Sequence, residues 1–187
     1  MKIAHSMALN EELLLKQLKD PRKAHEAFGA VVKEYTEPLY WHLRRMVLDH
    51  DDANDLLQNT FIKAWTNIDG FQGNSKISTW LYRIATNEAL TFLNRQSGTD
   101  VVSLDNDDAP PVNLEADEYF DGDDLQRRLQ EALQTLPPKQ RMVFNMKYFD
   151  EMKYEDMSEV LGTSVGALKA SYHLAVQKIS AFFQDDI

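Results

Sequence analysis

Residues 154–179 read YEDMSEVLGTSVGALKASYHLAVQKI. Two apolar-periodic stretches flank a turn at Gly162–Ser164, short enough to make two helices cross steeply. In that arrangement the second helix can lie in a DNA groove. Tyr154, Met157, Val160, Leu161, Val165, Leu168, Tyr172 and Ile179 supply the inward face. Gly162 suits the left-handed cap that ends one helix, and Ser164 the cap that starts the next. Gly166 and Ala167 are small enough near a helix N-terminus to permit close approach to a groove. A plain helical hairpin has the same apolar pattern, and the second helix offers only Lys169, His173 and Lys178 as cations.

A second constellation follows the loop FQGNSK. Trp80, Arg83, Asn87, Thr91 and Asn94 recur at three- and four-residue steps, on a face largely separate from the apolar stripe Ile77, Leu81, Ile84 and Phe92. An aromatic, a cation and amides in one line suit stacked bases, phosphates and base edges. A third lies on DDANDLLQNTFIKAW. Its inner stripe is Ala53, Leu56, Leu57, Phe61, Ala64 and Trp65; its outer face is Asn54, Asp55, Gln58, Asn59, Ile62 and Lys63. A solvated face would carry more charge and would not expose Ile62, so a partner surface is expected.

Catalytic readings find little support. His5, His25, His42, His50 and His173 have no short metal-ligand spacing, and there is no Gly-rich phosphate loop or GxSxG element. With no cysteine, disulfides, thiolate zinc sites and a Cys nucleophile are excluded. The expectation is a protein with no cofactor, no metal and no catalytic residues.

The elements that must position these residues read as all-α. Asn10 caps EELLLKQLK, Asp20-Pro21 fits an N-cap with proline at the first helical position, and Pro38 is expected to kink or divide the helix that follows. Asp51 and Asp52 suit the positive start of the next helix, and Ser78 the cap of the one after FQGNSK. The formal net charge is -10. Residues 1–95 carry twelve basic and twelve acidic residues, and residues 127–187 eight of each. The surplus of ten acids therefore sits wholly between Arg95 and Arg127. That stretch also holds Pro110-Pro111 and lacks a sustained period, so it reads as a linker too long for an ordinary loop. Two small helical domains are expected, residues 1–97 and 125–187, joined by an acidic linker over 98–124; the second is a helix-turn-helix, winged-helix-like domain. No apolar run approaches the ~20 residues of a bilayer span, and no signal peptide is evident. The expected place is the cytoplasm.

In order and spacing, DDANDLLQNTFIKAW, FQGNSKISTWLYRIATNEALTFL and LQTLPPKQRMVFNMKYFDEMKYEDMSEVLGTSVGALKASYHLAVQKI resemble the two-domain, extracytoplasmic-function type of bacterial sigma-70 factor. The resemblance implies a promoter-specificity subunit of RNA polymerase that stabilises strand opening. By it, Asn54, Asp55, Gln58, Asn59 and Ile62 dock on the clamp helices of the largest polymerase subunit. Phe71, Gln72, Gly73, Asn74, Ser75 and Lys76, with Asn87, resemble the pocket for a base flipped from the −10 element, and Trp80 and Arg83 fall where the melted strand is engaged. Ser164, Ala167, Lys169, Ala170 and His173 would face the −35 element, with that domain resting on the flap of the second-largest subunit. An anti-sigma factor is a further partner the resemblance admits.

The sequence departs from the family where Ser171, Leu174 and Val176 replace common arginines, and where NRQSGTD is poor in cations. These departures imply unusual promoter elements, weak DNA affinity of its own, or both. The rival readings are a stand-alone helix-turn-helix regulator, which would bind duplex DNA tightly by itself, an acidic helical interaction protein, which would bind no promoter, and a helical metal hydrolase, which would show bound metal.

Overall fold

Asn10 opens the first helix as expected, its Oδ1 accepting the Leu13 N–H at 3.0 Å. The structure, a computed structural model, describes residues 10–97 and 124–184. The acidic linker expected over 98–124 lies outside them except for Asp124. Eight α-helices are formed among the described residues: α1 (Glu11–Leu18), α2 (Ala24–Val47), α3 (His50–Thr66), α4 (Ile77–Ser97), α5 (Asp124–Gln134), α6 (Pro138–Tyr148), α7 (Tyr154–Leu161) and α8 (Val165–Gln184). A 3-10 turn, Ile68–Gly70, precedes α4. There is no strand among these residues, and no helix long and apolar enough to cross a membrane.

Three helix starts differ from expectation or refine it. Asp20 caps no helix: its carboxylate accepts the Arg22 N–H at 3.0 Å within a turn, and α2 begins only at Ala24. Asp51 and Asp52 stand in the first turn of α3 as expected, and Asp49 caps the helix, accepting the Asp52 N–H at 2.9 Å. Ser78 does not cap α4, which begins at Ile77; the Ile77 N–H donates to Glu11 Oε2 of α1 at 3.1 Å. A carboxylate from another helix therefore meets the positive end of α4, which local spacing could not reveal.

Pro38 neither divides nor ends α2, which runs unbroken through it. A proline in a helix interior costs about 3 kcal/mol. Val31, Leu39 and Leu43 around it are fully buried. Full burial of such side chains contributes about 1.5–3 kcal/mol each, enough to hold both halves in one line.

Packing does not follow two independent cores. One apolar cluster joins α1–α4 to Met142, Val143 and Met146 of α6, Met157 and Val160 of α7 and Leu168 of α8. A smaller cluster, Ala132, Leu133, Leu136, Phe144, Ala175 and Ile179, holds α5, α6 and α8 together. Lying between the two, α6 is buried from Pro138 through Met146, polar residues included.

Candidate nucleic-acid and polymerase interface

The loop between the 3-10 turn and α4 is held from below by α1. Gly73 adopts φ +76, and a Cβ there would meet Leu15 Cδ2 at 2.5 Å. Only glycine satisfies both the left-handed backbone and that approach. Gln72 and Asn74 are exposed and Ser75 is half-buried. Phe71, by contrast, is 5% exposed, and Trp80 packs on it at 5.0 Å between ring centroids. The more accessible of the two rings is thus that of Trp80 on α4, half-buried over Phe71. Lys76 is exposed but engaged, its Nζ 3.1 Å from Asp156 Oδ2 on α7.

Along α4, Trp80, Arg83 and Asn87 do form one row; Arg83, Asn87 and Thr91 are exposed. The inner face is wider than its large residues suggested. Ala85, Ala89 and Leu93 join Ile77 and Leu81 in the buried cluster, while Ile84 and Phe92 are half-buried against it. The Lys63 ammonium pairs with Glu88 and ties α3 to α4.

On α3, Asp55, Gln58 and Asn59 are exposed and Ile62 is 62% exposed, opposite the buried Ala53, Leu56, Leu57 and Ala64. Trp65 was expected inside but remains 40% exposed, one side against Phe28 at 5.0 Å. It continues the outward apolar surface of Ile62. Asn54 is half-buried, its Nδ2 3.0 Å from His50 Nε2, and His50 Nδ1 lies 2.7 Å from the Tyr40 hydroxyl. The four-residue step from His50 to Asn54 was visible in sequence; the third member, from α2, was not. Burial pushes the Asp52 carboxyl up from its ordinary value, reinforced by Asp49, Asp55 and Asp51. This end of α3 is therefore strongly anionic.

The turn of the helix-turn-helix forms as expected. Gly162 takes φ +65 at the end of α7, and Ser164 Oγ accepts the Ala167 N–H at 3.3 Å. Lys169, Ala170 and His173 are exposed on α8, while Ala167 is half-buried. Lys169 Nζ lies 5.7 Å from the Tyr154 ring centroid, and Lys147 Nζ from α6 lies 4.9 Å from the same ring. Burial, then the neighbouring Tyr172, raises the Tyr154 pKa, so the phenol stays neutral between its cations. Lys147 adds a positive group near α8 that α8's own sequence did not reveal. Among the described residues, no three His, Asp or Glu side chains gather as metal ligands.

The sequence profile "Sigma-70 region 2" matches residues 31–99, and "Sigma-70, region 4" matches residues 126–179. Among curated relatives, the ECF RNA polymerase sigma factor SigW of Bacillus subtilis is 31% identical over 174 residues, covering 87% of this chain and 92% of the relative. The RNA polymerase sigma-H factor of Pseudomonas aeruginosa is 29% identical over 84% of this chain and 86% of its own length. Among solved structures, CnrH in complex with the cytosolic domain of CnrY superposes with a TM-score of 0.68 at 23% identity, covering 95% of this chain and 99% of that one. The sigma factor RpoE in complex with the anti-sigma factor NepR, from Bartonella quintana, gives 0.65 at 24% identity, covering 86% and 98%.

Proposed function

This chain belongs to the extracytoplasmic-function group of sigma-70 factors, and on that premise we propose how its surfaces divide the work of initiation. As a sigma factor it directs RNA polymerase to promoters and is not itself an enzyme. It works where the polymerase is, in the bacterial cytoplasm. RNA polymerase is its partner, and an anti-sigma factor is a partner of the same class as that held by the Bartonella relative.

In our reading, Asn54, Asp55, Gln58, Asn59 and Ile62 dock on the clamp helices of the largest polymerase subunit. The loop 71–76 with Trp80, Arg83 and Asn87 takes the unstacked −10 strand: Trp80 offers the ring, Arg83 the charge and Asn87 the amide. Ser164, Ala167, Lys169, Ala170 and His173 of the helix-turn-helix face the −35 element, and that half rests on the flap of the second-largest subunit. The domain limits follow as 1–97, 98–124 and 125–187.

One observation carries the division. The outer face of α3 leaves Ile62 62% exposed beside the exposed amides of Gln58 and Asn59, although Ala53, Leu56, Leu57 and Ala64 on the opposite face are buried. A helix already anchored in the core has no folding reason to display that side chain. Run-off transcription with core polymerase, with and without the chain, tests the whole reading. Promoter-specific transcripts that require the chain are expected; tight sequence-specific binding by the chain alone, with no transcript, would instead mark a stand-alone regulator.

A further inference from the structure

The 20 residues of α8 include no aspartate and no glutamate, in a chain that holds 30 acidic residues. Leu168, Ser171, Ala175 and Ile179 face inward and are buried. The side turned away from them carries two rows. Lys169, His173 and Gln177 recur every four residues, and all three are exposed. Beside them Ala167, Ala170 and Leu174 recur at three- and four-residue steps. No side chain of this second row can form a hydrogen bond. Ala170 is exposed, and Leu174, one turn further on, is 40% exposed. At about 1.5 Å per residue the apolar row is about 10 Å long, within the width of about 12 Å of a major groove.

The charges on the helix decide what covers Leu174. Lys169 and His173 flank the apolar row, and no carboxylate on α8 repels a polyanion. The base edges in a major groove present donors, acceptors and a single apolar group, the C5-methyl of thymine. With neither arginine nor asparagine on α8, the forked pairing of a guanidinium with guanine is unavailable there. Lys169 leans toward the Tyr154 ring, its Nζ 5.7 Å from the centroid. Van der Waals contact with methyl groups therefore becomes a main route to discrimination along this helix.

We propose that Leu174, with Ala170 and Ala167 before it, reads the thymine C5-methyl groups of the −35 element, which makes Leu174 a specificity-determining residue. The element that this chain selects then has a thymine, on one strand or the other, opposite Leu174. Discrimination at that base pair comes from burial of a methyl group and not from hydrogen bonds. Covering one methyl corresponds to a factor of about four in affinity.

The inference rests on the assignment of α8 to the −35 element, and its test separates the two. Core polymerase loaded with the chain selects from promoter fragments randomised over the −35 element, and sequencing gives the enriched bases. Each enriched thymine is then replaced by deoxyuridine, which removes the methyl and keeps every hydrogen-bonding atom. At one position the replacement should weaken binding of the native holoenzyme about fourfold in competition, and leave that of the Leu174→Ala holoenzyme unchanged. Leu174→Gln, which exchanges the methyl contact for an amide, should lose the same dependence. Leu174 is exposed, so both variants should keep the native circular dichroism. An enriched element of G·C pairs alone, deoxyuridine without effect on the native chain, or an equal penalty in the native chain and the folded variants would each overturn the proposal. No enrichment together with no chain-dependent transcript would strike the promoter reading itself, and this inference with it.

Discussion

Phe71 and Asn87 belong to one expected base pocket, yet the structure gives them different physical roles. Phe71 is packed under Trp80 and within the main cluster, so Phe71→Ala removes core. It should cost about 3–5 kcal/mol of stability, measurable by urea unfolding. Asn87 is exposed. Asn87→Ala should change stability by about 0.5 kcal/mol or less, while lowering permanganate reactivity of the −10 region. Normal strand opening in that variant would remove Asn87 from the pocket. Gly73 gives a sharper test of how the loop is built. Gly73→Ala meets both the left-handed backbone and Leu15 and should cost more than about 1 kcal/mol. Adding Leu15→Ala should recover only the steric part; full recovery, or none, in a double-mutant cycle would contradict this account.

At the scale of elements, α3 is the cleanest case of two faces with two tasks. Asp55→Arg with Gln58→Ala changes only exposed positions, so unfolding should shift by about 0.5 kcal/mol or less while competition for core polymerase weakens. If the double variant competes as well as the parent, the face has been misassigned. The faces of α3 were legible because Ala53, Leu56, Leu57 and Ala64 keep helical spacing, and the turn was legible because Gly162 and Ser164 carry their own backbone chemistry. Other elements were not. Pro38 signals a break locally, but buried neighbours on both sides keep α2 continuous. The start of α4 is satisfied by Glu11, 66 residues away, which no window around Ser78 contains. Along α6, PKQRMVFNM suggests a helix with one wet face, whereas both faces are buried. That outcome depends on partners such as Met46 and Leu93, which sequence spacing cannot bring together.

For the whole molecule, the question is how a chain of net charge -10 holds DNA at all. Part of the answer lies in the linker, which carries the entire surplus, and part in burial, since Arg45, Lys139 and Arg141 are all buried in the free chain. Among the described residues, Lys169, His173 and the start of α8 are placed for phosphates of the −35 duplex, giving about two or three contacts and a log-affinity versus log-salt slope of roughly −2 to −3. Lys169→Ala should flatten that slope by about one unit without affecting docking on core polymerase. Fluorescence anisotropy on a labelled duplex across a salt series measures both chains. The full-length chain is the right material, because region 4 cut loose would expose Met142, Met146, Met157 and Val160, which are now buried in the shared cluster. Tight binding by the native free chain with a slope of about −5 or steeper would mean that its cations are already available.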